Sequence, residues 1–289
     1  MLFAREQLGF TMRRRTSLAF VCVIALAVVV GAQGQEFARV LRNGEHATLS
    51  VFGGRPVDLA ARKLVDEFGV AINVEDPLYT YRGDVQDIGT ARSGRRLFIP
   101  KASLLEMGLD LRADGSPSDV RQAVHNLADA ANSQLPFGYR IDSDGDVFTL
   151  VATRTRDEEG RSVELTPILD RHVTIPLGTR TIFEHVHLLT ESLQQQTGVH
   201  VGCCQTAVGG IPWGSTVVTF EARDEPARTA LLRLVRSEPG RDRLVRNEAG
   251  GGFHLVKSEP GREHWHWTMR CQPGEAWCSI NVAAIPEKR

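Results

Sequence analysis

Residues 56–74 read PVDLAARKLVDEFGVAINV, and their spacing sets the architecture of the chain. Val57, Ala60, Ala61, Leu64, Val65 and Phe68 recur three and four residues apart, so they share one face of a helix. Pro56 suits the first helical turn, where a missing N–H costs nothing. Gly69 suits the left-handed residue that stops a helix. Val70–Val74 then reads as a short strand.

The same run of signals returns 129 residues later. Ile182, Val186, Leu189 and Leu193 fall on one helical face, and Thr181 with Glu184 forms a capping-box pair at its start. Gly198 closes the helix and Val199-His-Val follows as a strand. Setting Gly69 on Gly198 places Leu64 on Leu193 and Val57 on Val186. Each half carries a second helix. One has Val120, Ala123, Val124, Leu127, Ala128 and Ala131 behind Ser116-Pro117; the other has Ala227, Ala230, Leu231, Leu234 and Val235 behind Asp224-Glu-Pro. Two short strands follow each helix, Phe137–Ile141 and Val147–Val151 in the first half, Arg243–Arg246 and Phe253–Val256 in the second. The offset there falls to 107, because the first half holds about twenty-two extra residues before its second helix.

A shorter echo is unrelated to this duplication. LVRSEPGRD at 234–242 ends a helix, whereas LVKSEPGRE at 255–263 ends a strand; Pro-Gly stops either element. The expected fold class is α+β, with two tandem βαββαββ units, each of two helices packed against small sheets, and a C-terminal β-hairpin. The expected boundaries are a signal peptide at 1–34, the first unit at 35–152, a polar linker at 153–172, the second unit at 173–262 and a disulfide-linked hairpin at 263–289.

This order of elements resembles the secretin and TonB short N-terminal domain, STN. The residues that carry the resemblance are Leu59-Ala-Ala-Arg-Lys-Leu64 through Gly69-Val70, and Ala123-Val-His-Asn-Leu127 through Tyr139 and Gly145 to Leu150. In the second copy they are Ala230-Leu-Leu-Arg-Leu234 through Leu244 and Gly252 to Leu255. Most of residues 46–257 is covered. The insertion Thr80–Leu104 has no counterpart in the family pattern, and neither an outer-membrane barrel nor a secretin ring follows. The resemblance implies two helices between small sheets, a periplasmic setting and engagement of other proteins.

Composition and targeting signals agree on an exported globular protein. Forty-two per cent of residues are hydrophobic and 24% charged, as in a folded domain. Arg13-Arg-Arg precedes an apolar run from Leu18 to Val30, and Ala32-Gln33-Gly34 supplies small residues for cleavage. The run is too short for a spanning helix, which needs roughly 20 apolar residues. Cleavage near Gly34 yields a periplasmic or secreted chain that is not an integral membrane protein; Met12 is an alternative start. Removing residues 1–34 takes Arg5, Arg13, Arg14, Arg15 and Glu6, leaving 30 basic and 34 acidic residues. That balance gives no reason to expect a nucleic-acid partner.

Four cysteines remain after cleavage, Cys203, Cys204, Cys271 and Cys278, and an even count in an exported chain reads as disulfides. Cys271 and Cys278 flank a turn between His264–Arg270 and Ser279–Ala284. Two bridges from this hairpin to Cys203 and Cys204 are expected, since bridge geometry disfavours adjacent cysteines. The alternative pairs Cys271 with Cys278 and leaves a vicinal pair at 203–204.

Trp213, Trp265, Trp267 and Trp277 cluster in the last third as a candidate binding surface, with buried packing as the plainer reading. His200, His264 and His266 could join thiolates in a metal site, but their spacing matches no zinc motif, so no metal or other cofactor is assigned. His185 and His187 sit two apart on a helix, on different faces, and are expected to be solvated. Asp142-Ser-Asp144-Gly-Asp146 lacks the glycine and bidentate acid positions of a calcium loop and reads as a hairpin turn. No nucleophile elbow, phosphate loop or His-Glu-x-x-His occurs. The expected function is a non-catalytic binding or scaffolding protein of the cell envelope that engages a protein partner. The alternative is a metal-dependent or hydrolytic enzyme using the His/Cys cluster of the last third.

Overall fold

The helices form where the apolar spacing places them. In the computed structural model, which describes residues 36–92, 94–203, 217–236, 242–246, 253–257 and 265–284, α1 spans Pro56–Phe68. It buries Val57, Ala60, Ala61, Leu64 and Val65 and ends on Gly69 at φ +69°, a conformation that a side chain would strain. Three further α-helices follow among the described residues: α2 (Val120–Gln134), α3 (Ile182–Thr197) and α4 (Ala227–Arg236). Asp119 caps α2, and Thr181 with Glu184 caps α3 reciprocally.

The strands make a mixed α+β molecule of several small sheets around one larger sheet. β1 (Phe37–Asn43), β2 (His46–Gly53) and β6 (Ser103–Asp110) form a three-stranded antiparallel sheet in the order β1-β2-β6. β4 (Val85–Thr90) and β5 (Arg96–Pro100) pair as a hairpin within the insertion. The central sheet runs from β11 (His200–Cys203) through β16 (Trp277–Ala284), β15 (Trp265–Cys271), β3 (Ala71–Glu75) and β8 (Val147–Arg156) to β7 (Gly138–Asp144). β9 (Ser162–Glu164) pairs with the end of β8. β10 (His172–Thr181) and β12 (Val217–Pro226) form an antiparallel ribbon. β13 (Asp242–Arg246) and β14 (Phe253–Lys257) form another.

Alternation along the central sheet sends the two helix pairs to opposite faces. β15 and β3 run parallel with Thr268 beside Val74 and Met269 beside Glu75. Lateral neighbours in a ladder share a face, and successive residues do not. Ile72 and Val74 join a core with α1, α2, β2 and β6, whereas Trp267 and Met269 join one with α3, α4, β10 and β12. The layers therefore read small sheet, helix pair, central sheet, helix pair, ribbon. Residues 37–289 group as one unit. No helix among the described residues is long and apolar enough to cross a membrane.

Three features depart from expectation. The C-terminal hairpin is not an appendage: β15 and β16 lie inside the central sheet, and Trp267, Met269, Cys271, Cys278, Ile280 and Val282 are buried in the second core. The ribbon β13–β14, expected to close the second unit, pairs only with itself among the described strands. The stretch 153–172 is structured, with β9 folded back on β8 and Ile168 and Leu169 buried in the second core.

Candidate functional site

Where β3 ends, the chain leaves a buried strand carrying two acids, Glu75 and Asp76. Each must find a partner, because an isolated ionised carboxylate inside a protein is costly. They point to opposite sides and meet that requirement differently.

Glu75 faces the second helix pair. Its carboxylate takes Arg228 of α4 bidentately, at 2.5 and 3.1 Å. Arg228 also donates to Asp170 at 2.5 Å and Asp142 at 3.0 Å, and Arg140 reaches Asp170 at 2.8 Å. Burial raises the Glu75 carboxyl above its ordinary value, against the pull of Arg228. Partial burial acts the same way on Asp170, but hydrogen bonds from Arg140 and Arg228 hold it below its usual range. With every carboxylate engaged, this cluster reads as an ionic clamp between the sheet and α4, with Arg236 to Asp144 as an outlying pair.

Asp76 opens instead onto a cleft of about 210 Å³ at the carboxyl end of β3. The wall includes the start of α1 (Gly54 to Asp58), Tyr79, Asp84, Lys101, Phe137, Tyr139 and Arg156. Arg55 donates from Nε to Asp76 at 2.5 Å and from Nη2 to the Cys271 carbonyl at 2.9 Å. Burial pushes the Asp76 carboxyl up to about 6, even with Arg55 beside it. Burial also raises the phenols of Tyr79 and Tyr139 well above the ordinary value, so both rings stay neutral. Tyr79 stands edge-on to Phe137 at 5.3 Å between ring centres. Asp58, 1% exposed, takes Arg270 on Oδ2 at 2.7 Å, while its Oδ1 is buried without a hydrogen bond. At the mouth Lys101 donates to the Gly83 carbonyl at 3.3 Å and Arg156 lies 3.4 Å from Asp84. A strongly perturbed carboxyl in a concave, partly aromatic site is the usual mark of a binding or reacting locus.

Sheet edges offer a second kind of site. The outer edge of β6 is occupied by side chains of α2: Gln134 exchanges two hydrogen bonds with the Glu106 backbone, at 2.9 and 2.7 Å, and Asn126 donates to the Gly108 carbonyl. β1, at the other end of that sheet, pairs only with β2 among the described strands. Its Phe37 and Leu41 are exposed, Leu41 by 53%.

The residues singled out from sequence scatter. Cys271 and Cys278 are joined to each other, with sulfurs 2.06 Å apart, which overturns the expected pair of cross-bridges. The two cysteines stand directly opposite in the hairpin, whereas the neighbour of Cys278 on β11 is Val201; Cys203 lies beside Ile280. Cys204, Trp213 and His264 lie outside the described residues, as do the side chains of Cys203 and Trp265. Trp267 is fully buried and belongs to the core rather than to a binding surface; Trp277 is half-buried, its ring 3.5 Å from where a Cβ on Gly202 would sit. His200 is level with Trp277 and His266 with Ala283, six residues apart along β16, or about 20 Å. The proposed His/Cys cluster is therefore not assembled from these two. His266 is buried against the α1 face, where burial lowers its pKa.

His185 corrects another expectation. It is fully buried, 5.4 Å from the Phe220 ring, with Nε2 3.3 Å from the Val218 carbonyl. The β10–β12 ribbon covers a wider stripe of α3 than the apolar residues mark, and His187 alone is exposed. The turn at Asp142–Asp146 is a hairpin with Gly145 at φ +61°, and Asp142 and Asp144 face arginines.

Sequence reasoning missed the cleft because its members come from six separated stretches. The one local signal is Val-Glu-Asp closing an apolar strand, since acids there are almost never buried unless paired. No protein-family model matches the chain, and no curated protein or solved structure matches it.

Proposed function

We propose that this chain is an exported, non-catalytic binding module of the cell envelope, built from two tandem STN-like units, which engages a protein partner through the open edge of β1. Several observations support the tandem reading. With the β4–β5 hairpin of the insertion set aside, each half runs strand, helix, strand, strand, helix, and in each the strand after the first helix pairs parallel with the second strand of a hairpin: β3 with β8, β11 with β16. In this reading β15–β16 closes the second unit and β13–β14 is an insertion ahead of it. A cystine in the hairpin fits an oxidising compartment.

The single observation that carries the binding role is the asymmetry of the three-stranded sheet. α2 occupies the edge of β6 with three side-chain hydrogen bonds, whereas among the described residues no strand pairs with the outer edge of β1, beside exposed Phe37 and Leu41. An edge left unguarded beside a guarded one invites an added strand.

A photo-crosslinking residue at Leu41, compared with one at Glu106, tests this in the host cell. A discrete adduct from position 41 alone is the expected result. Equal labelling from both positions, or from neither, rejects the edge as the contact. Mature protein beginning near Gln35 in the envelope fraction tests export separately.

A further inference from the structure

From the cleft at the end of β3 we infer a second binding site, for a free α-amino acid held at both charged poles. The cleft wall carries three basic groups, Arg55, Lys101 and Arg156, and three acidic ones, Asp58, Asp76 and Asp84. A cleft whose wall carries both signs of charge favours a guest that offers both, because a lone charge of either sign would be desolvated with only part of the wall to compensate it. A zwitterion satisfies that condition while using both signs.

The unused hydrogen-bonding capacity has the same two-sided character. Asp76 accepts Arg55 on Oδ2, and Asp58 Oδ1 is buried without a hydrogen bond, with Arg62 Nε 3.4 Å away. That oxygen asks for a donor, and an ammonium brings three. On the donor side, Arg55 spends Nε on Asp76 and Nη2 on a carbonyl, leaving Nη1. Beside it α1 begins without a side-chain cap, so the positive end of the helix dipole faces the same cleft. A carboxylate suits that corner. Tyr79, Phe137, Tyr139 and Leu135 then offer apolar surface to a side chain. The position, outside the carboxyl ends of parallel strands β3 and β8, is where open sheets commonly hold small ligands. This inference does not depend on the β1 edge.

Calorimetric titration of the full chain with matched probes decides it. L-phenylalanine carries both poles, phenethylamine only the ammonium, hydrocinnamate only the carboxylate, and N-acetyl-L-phenylalaninamide neither; L-leucine serves as a second zwitterion. The amino acids are expected to saturate one site, with each one-pole or uncharged analogue at least about tenfold weaker. Asp76→Asn should weaken L-phenylalanine by a similar factor, with the urea midpoint of the variant measured to show that it is folded. Binding of phenethylamine or hydrocinnamate as tight as that of the amino acid overturns the two-pole site. Failure of both amino acids to bind overturns the site itself. The wild-type probe series is decisive even if the variant does not fold.

Discussion

Two hairpins complete the central sheet, and they reach it by different routes. β7–β8 follows α2 directly and closes the first half without interruption. After α4 the next hairpin in the chain, β13–β14, forms a ribbon of its own, and the following one, β15–β16, takes the place beside β11 and β3. Chain order does not choose the strand that fills a sheet; burial does. β15 and β16 place Trp267, Met269 and Cys271 opposite Val282, Ile280 and Cys278, an alternation that buries one face against α3 and α4. The other face of β15 presents His266, Thr268 and Arg270 toward α1, where Arg270 pairs with Asp58. The second hairpin thereby serves both cores, while the first leaves the clamp residues Arg140 and Asp142 on its far face.

The largest effect should come from removing the anchor of the second hairpin. Trp267→Ala is expected to cost about 3–5 kcal/mol in urea unfolding, as for a fully buried aromatic ring. Trp267→Phe should cost far less, because the indole Nε1 is buried without a hydrogen bond; equal losses would mean that the ring does not anchor the hairpin. Next comes the clamp that ties α4 to the first half. Arg228→Met leaves Glu75 buried and unpaired, for a loss of about 3 kcal/mol or more, and adding Glu75→Gln should restore much of it. A double mutant no better than the single would show that the pair acts independently. Replacing Cys271 and Cys278 with alanine should cost about 2–3 kcal/mol in urea unfolding, the entropy of a short closed loop. Smallest of all should be excision of residues 241–258 with a short glycine-serine bridge, because β13–β14 pairs only with itself among the described strands. A shift beyond about 1 kcal/mol would mean that the ribbon, and not only β15–β16, belongs to the second unit.

The local elements were legible in the amino-acid order because their causes are local. Pro56 and Gly69 bracket α1, Thr181 and Glu184 start α3, and Gly145 turns the β7–β8 hairpin, each through its own backbone or its nearest neighbours. His185 was misjudged since nothing within one turn of α3 announces that a ribbon from β12 will cover it. The cystine between Cys271 and Cys278 was within reach of the hairpin pattern, but choosing it over a bridge to β11 required the strand register.

Periodicity, caps and turns along the chain were enough to establish the four described helices, the strands that follow each of them and the α+β class, as these depend on interactions a few residues long. Which hairpin enters the central sheet, which face each helix pair covers, and that Arg55, Asp76, Tyr79 and Tyr139 converge on one cleft were settled only by tertiary packing. Contacts between residues tens to hundreds of positions apart are selected by the joint burial of many side chains, and no short stretch of sequence carries that sum.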